Sequence, residues 1–380
     1  MNNEQSVLLS LIKQSQFGPS GTISFIDVDL DTLYKEASQQ AVLSLIAPEI
    51  PNDHTNKKWI EAQYRQKAAY ILYCNSQDDL KTILDNADIP FVILKGNSSA
   101  ISYTDPSRRS MGDIDILVPQ ELYLKTKSVL SSSGYIEEHD NGRHASFKKD
   151  KQSIEVHHHF SNGIDVENYL IAGLKERKLA VIDGHEFPML PRLANGIVLL
   201  DHFRKHLLSS VGIRQVIDWM MYVYHELNDD FWFNDFEPVA KEKGLDKLAI
   251  TLTRMCQLYL GLPKTITWCS SANENLCNRL LKSVFDSGNF GRKKGKGKTF
   301  ESVLVRIQNV KGLFKWLQTV GERTWDSYKK HHWLKPFCWI YQFFRFTKKF
   351  LKSGRTQEEL KNDINNSNER YELLKDLNVL

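Results

Sequence analysis

Residues 90–119 read PFVILKGNSSAISYTDPSRRSMGDIDILVP, and the fold is decided there. The apolar run Phe91–Leu94 predicts a short buried strand that stops at Lys95-Gly96. A second apolar run, Ile114, Ile116, Leu117 and Val118, is interrupted by Asp113 and Asp115. A strand puts residues i and i+2 on one face, so both carboxylates point the same way from a segment that otherwise favours burial. Two neighbouring anions raise each other's energy unless something positive stands between them. A pair of hard divalent cations meets that need, and Mg²⁺ favours carboxylate and phosphate oxygens. The pattern points to metal-dependent chemistry on a nucleoside triphosphate.

The surrounding residues supply the other parts such chemistry needs. Phosphoryl and nucleotidyl transfer require neutralised phosphate charge, an in-line nucleophile and a held leaving group. Gly96, between strand and helix, lets the backbone approach a phosphate, and the first free N–H groups of the following helix bind the anion. Ser98 and Ser99 add hydroxyl donors. Lys95 and Arg109 are the nearby cations, with two open uses: contact to phosphate oxygens, or ion pairs with the aspartates. Glu155, alternating with Ile154 and Val156, is the candidate third carboxylate, since a lone acid on a buried strand needs a partner. Asp105 and Glu137 are the alternatives.

Outward from this centre, residues 1–86 read as a helical region. Ser6–Gln14, Leu30–Ile46 and Lys57–Asn86 carry apolar residues at helical spacing, with Trp59, Tyr64, Ala68, Ile71 and Leu72 as one stripe of the last. Residues 87–190 read as a core with a small mixed sheet. After the two strands named above come a helix over Gln120–Ser132, strands at Tyr135–Glu138, Ala145–Lys149 and Ser153–His158, and a hairpin of Leu179–Ile182 with Glu186–Leu190 about Asp183-Gly184. Residues 191–353 return to helical spacing, and 354–380 form a polar tail expected to be loosely ordered. The expected class is α+β: a small mixed sheet flanked by amino- and carboxy-terminal helical regions.

Bulk properties narrow the class further. At 380 residues the chain exceeds one simple core. Its 41% hydrophobic and 25% charged residues are ordinary for a soluble protein, and a net charge of +4 is too small to make the whole chain a nucleic-acid binder. Five scattered cysteines without a CxxC pair argue against a disulfide framework or zinc ribbon and fit a cytoplasmic setting. No secretory signal and no transmembrane stretch are expected.

The blocks Val92-Ile93-Leu94-Lys95-Gly96, Tyr103, Asp105-Pro106, Arg109, Gly112-Asp113-Ile114-Asp115-Ile116-Leu117-Val118, Gly134-Tyr135 and Ile154-Glu155-Val156-His157 together resemble the uncharacterised nucleotidyltransferase family of the DNA polymerase beta-like superfamily. The resemblance covers about residues 85–160. It implies a minimal nucleotidyltransferase fold and transfer of a nucleoside monophosphate from ATP or another NTP to an acceptor, with two Mg²⁺ ions or Mn²⁺ in their place. Asp113 and Asp115 match the metal-binding pair, Glu155 the third acid, and Gly96 the phosphate turn. Asn97 follows that glycine where the superfamily commonly has Ser or Gly, and Glu155 stands where many relatives have Asp.

Other motifs are less directive. In His157-His158-His159, alternation on a strand allows only His157 and His159 to share a metal, and nothing nearby completes a zinc set. His157 lies on the face of Glu155 and could orient the acceptor or its proton. His202 and His206 are spaced i, i+4, but Phe203 stands where a zincin motif needs Glu. With Asp201 and Asp218 they are read as a plain helix surface, the back of the cleft being the other use. Gly291–Thr299 lacks P-loop spacing and reads as a basic loop. The aromatic–basic stretch Trp333–Phe350 reads as a core-facing helix, or as a peripheral membrane or nucleic-acid contact. The second functional reading is therefore a non-catalytic nucleotide- or partner-binding protein docked through that helix.

Overall fold

The computed structural model describes residues 1–19, 21–161, 166–207, 210–289, 310–351 and 356–380. Contacts divide the chain into two compact units, Met1–Lys293 with Val379, and Lys294–Asn378 with Leu380. The architecture is α+β, as expected, with one seven-stranded mixed sheet in the larger unit.

In the larger unit, α1 (Asn3–Phe17) opens the chain, capped by the Asn2 side chain on the Gln5 N–H. The segment expected as one helix from Leu30 to Ile46 is broken at Ala41, whose φ of 57° leaves the helical region. It becomes α2 (Leu30–Gln39) and α3 (Leu43–Ile46). Helix α4 (Lys57–Asn86) is continuous. Its buried face differs from the stripe expected. Trp59 is buried and meets Tyr34 edge-on, but Tyr64, Ala68, Ile71 and Leu72 are exposed. Tyr70, Tyr73, Gln77, Leu80 and Leu84 turn inward instead. That face is also helically spaced, and the choice between the two was made by where the sheet lies.

Seven strands follow the order β3-β4-β5-β2-β1-β7-β6. They are β1 (Val92–Ile93), β2 (Ile114–Leu117), β3 (Ile136–Asp140), β4 (His144–Lys149), β5 (Gln152–His157), β6 (Lys178–Ile182) and β7 (His185–Met189). Central β2 is buried at every position, as its apolar run requires. It pairs antiparallel with β1 and parallel with β5. The β6–β7 hairpin turns on Asp183 and Gly184, both with positive φ, and β7 adds to β1 in parallel. Between the strands lie α5 (Asn97–Ala100), α6 (Tyr123–Ser132) and α7 (Glu167–Lys175). Helices α8 (Arg192–Leu207) and α9 (Ile213–Glu226) come next, with Trp219 and Met220 of α9 fully buried.

In the smaller unit, helix Val310–Thr324 packs on Cys338–Leu351. Rings pair between these segments: Phe314 with Trp339, and Trp316 with Phe346. The aromatic–basic stretch is thus divided, because Trp333 and Phe344 remain exposed. The stretch read as a loose polar tail contains a helix, Gln357–Asp376, whose end buries Leu373 and Leu374. The basic loop Gly291–Thr299 lies outside the described residues. Among the described residues no helix is long and apolar enough to cross a membrane.

Candidate active site

Because β1 and β2 are antiparallel, the carboxy end of β1 meets the amino end of β2. The Lys95-Gly96 turn therefore lies beside Asp113 and Asp115, and the Leu94 N–H donates to the Asp115 carbonyl at 2.9 Å. On the other side, the parallel register makes Glu155 the direct partner of Asp115. His157, two residues further along β5, shares the face of Glu155. Its Nε2 is 3.1 Å from Asp115 Oδ1 and 3.4 Å from Glu155 Oε2. Lys95 Nζ takes the other oxygen, Asp115 Oδ2, at 2.8 Å.

The two aspartates are held in opposite ways. Burial works against the charge of Asp115, but the Lys95 ammonium and His157 outweigh it and hold the group well below the usual carboxylate range. Desolvation of its carboxyl group by the surrounding protein and the adjacent Asp115 charge push Asp113 up to about 6, although the residue keeps a face to solvent. Burial disfavours charge on His157 too, and its bonds to Asp115 and Glu155 reverse this and raise it.

The turn itself admits only glycine. Gly96 has φ +65°, and a Cβ there would sit 1.8 Å from the Tyr73 hydroxyl of α4. That hydroxyl is buried and lacks a hydrogen-bond partner. Ser98 is turned inward, donating to the Ile93 carbonyl at 2.5 Å, and Ser99 is buried without a partner for its hydroxyl.

Opposite the carboxylates stands a wall from α8 and α9. A cavity of ≈ 40 Å³ lies between, with Lys95, Gly96, Asp113 and Asp115 on one side and His202, Arg214, Gln215 and Asp218 on the other. Arg109 also reaches it, held by two parallel bonds from Nε and Nη2 to Asp218, each 2.8 Å. The Tyr103 hydroxyl donates to the same carboxylate at 2.7 Å. Burial raises Asp218 and the Arg109 guanidinium more than reverses it, so the carboxyl is lowered. His202 Nε2 is 3.4 Å from Lys95 Nζ and 3.0 Å from His206 Nε2. Burial, then the Lys95 charge, lowers both imidazoles, His206 to about 4.

The family model described as an uncharacterised nucleotidyltransferase matches residues 27–261, more than half of the 380-residue chain. The chain belongs to that nucleotidyltransferase family. Among solved structures it is similar to an antigenic nucleotidyltransferase-like protein from Paracoccidioides brasiliensis. The identity is 13%, with 51% of this chain and 95% of that one covered and a TM-score of 0.33. No curated protein matches.

In this nucleotidyltransferase, Lys95, Gly96, Arg109, Asp113 and Asp115 all line the cavity. Ser98 and Ser99 do not. Glu155 joins the group through Asp115 and His157, whereas Asp105 pairs with Arg108 and Glu137 with Lys127. Among the described residues, one set has donor atoms close enough to share a metal: Asp115, Glu155 and His157, all within 4.8 Å of one another. Two carboxylates and an imidazole suit a divalent cation. The three consecutive histidines separate because β5 ends at His157, leaving His158 on the Gly142 carbonyl and His159 beside Glu167. His202 and Asp218, read as helix surface, line the cavity instead, with Arg214 and Gln215. No signal marked Arg214 or Gln215, because their proximity to Asp113 is created by packing across about a hundred residues.

Proposed function

We propose that the chain transfers a nucleoside monophosphate from an NTP to a hydroxyl-bearing acceptor, using a divalent cation, Mg²⁺ or Mn²⁺. The observation that carries this reading is the register pairing of Asp115 with Glu155, beside a glycine turn that opens a helix. Asp115, Glu155 and His157 would hold a cation, and Asp113 faces the same cavity. When bound, such an ion neutralises phosphate charge and polarises the α-phosphate.

In the transfer, the acceptor oxygen bonds to the α-phosphorus as the bond from that phosphorus to the bridging oxygen breaks. Pyrophosphate leaves, and the hydroxyl proton passes to a base, for which Glu155 is the candidate. The Gly96 backbone and Lys95 lie where they can meet the triphosphate. Arg109 contributes charge to the same cavity from its fixed seat on Asp218.

The test is NTP consumption by wild type and by Asp113→Asn/Asp115→Asn, with acceptor candidates supplied as mixtures. Turnover in wild type and none in the folded double variant is expected, and retained turnover rejects the reading. A thermal-shift series separates the enzyme from a docking protein. Stabilisation by an NTP only with metal favours transfer, whereas stabilisation by lipid vesicles or nucleic acid alone favours docking.

A further inference from the structure

An aspartate pair that binds two cations must present free oxygens to both. Here Asp115 presents one. Its Oδ1 faces His157 and the one cluster of donors close enough to chelate among the described residues, a cluster from which Asp113 is absent. Its Oδ2 is taken by the Lys95 ammonium at 2.8 Å. Asp113 lines the same cavity as this ammonium.

Lys95 is built into this position. Its backbone follows β1 directly, where the Leu94 N–H is bonded to the Asp115 carbonyl. Its side chain is 19% exposed. On the far side, His202 of α8 presents Nε2 to the ammonium at 3.4 Å, and His206 stands 3.0 Å from His202. Burial among cations keeps the His202 ring neutral, leaving it able to accept from Lys95. The ammonium is thus held between a carboxylate and an imidazole that come from different layers of the fold.

We propose that Lys95 is a resident cation of the aspartate pair, taking the place of one of two metal ions, so that the loaded site binds a single divalent cation at Asp115, Glu155 and His157. This rests on the nucleotidyltransferase reading and departs from the two ions that the family resemblance implies. A lysine in this role cannot leave with pyrophosphate, and it keeps the pair compensated between turnovers. An ammonium is also a point charge with three rotatable donors, able to touch both carboxylates and a phosphate oxygen.

The experiment counts ions, independently of activity. The full chain is equilibrated with one equivalent of an NTP analogue blocked at the α–β bridge, and Mn²⁺ bound per chain is measured by the loss of the free-ion spin-resonance signal. One ion per chain is expected for wild type, and one for Lys95→Arg, which keeps the charge. Lys95→Met keeps the stem, removes the charge and is expected to bind a second ion. Two ions on wild type, or one on folded Lys95→Met, overturns the proposal. If Lys95→Met does not fold, the wild-type count alone decides. A chain that binds the analogue with no metal dependence at all overturns the proposed function itself, and with it this inference.

Discussion

Replacing Asp218 by Asn keeps the shape of the side chain and removes its charge, leaving the Arg109 guanidinium buried without compensation. Both residues are almost fully buried, at 8% and 5% side-chain exposure. The pair is bidentate, with two bonds of 2.8 Å, and the Tyr103 hydroxyl adds a third at 2.7 Å. Breaking a buried pair from one side costs about 3–5 kcal/mol, since the remaining charge keeps its desolvation penalty. The retained amide still accepts from Tyr103, so the expected loss is near the lower end, about 3 kcal/mol. For a unit of this size that corresponds to a fall of roughly 5 °C in melting temperature.

Removing both charges, as Arg109→Met/Asp218→Leu, is expected to recover most of the loss, because neither half is then left alone. Urea unfolding at pH 7 of the wild type, Arg109→Met, Asp218→Leu and the double variant gives the coupling directly. Asp218 is lowered in the folded state, so the unfolded chain takes up its proton first as pH falls. The stability it contributes is present above the unfolded value of about 3.9 and is lost as pH drops through the lower folded value. A single-variant loss below about 1 kcal/mol would show that water or a mobile neighbour screens this site, and the reasoning from burial would fail.

Three further outcomes are expected. Gly96→Ala meets both the Tyr73 hydroxyl at 1.8 Å and a φ of +65°, so it should destabilise by about 3 kcal/mol or more, read by melting, and Tyr73→Phe should not rescue it because the ring carbon lies at 2.5 Å. His206 is lowered to about 4 from 6.5, so the unfolded chain binds its proton first and stability falls by about 2 kcal/mol between pH 7 and 5; His206→Gln should flatten that slope in urea titrations. All five cysteines are free and buried, so a thiol reagent should label the native chain slowly and label all five after denaturation; rapid labelling of the native protein would contradict the packing around Cys74, Cys256 and their fellows.

Much of the sheet could be read from local pattern. The strands around Val92, Ile114 and Ile154 are short apolar runs bounded by glycine, aspartate and asparagine turns, and such signals act within a few residues. The burying face of α4 could not be read that way. Two stripes on that helix carry aromatic and aliphatic residues, and only the position of the sheet made Tyr73 a core residue and Tyr64 a surface one. The polar stretch after residue 354 misled for a related reason. A few leucines, Leu373 and Leu374 among them, anchor a helix whose average composition is hydrophilic.

The candidate site divides along the same line. The sequence alone picked out the residues proposed for the turn and the paired acids, because Lys95, Gly96, Asp113 and Asp115 lie within one strand–turn–strand passage. It also fixed the common face of Glu155 and His157, since alternation along a strand is a property of the backbone. Tertiary structure decided who meets whom. It bonded Arg109 to Asp218, set His202 against Lys95 and brought Arg214 to the cavity of the carboxylates. These contacts join segments about a hundred residues apart, and a long-range pairing of charges leaves no periodic trace in either segment: each charge is chosen for its partner's position, which only the packed layers define.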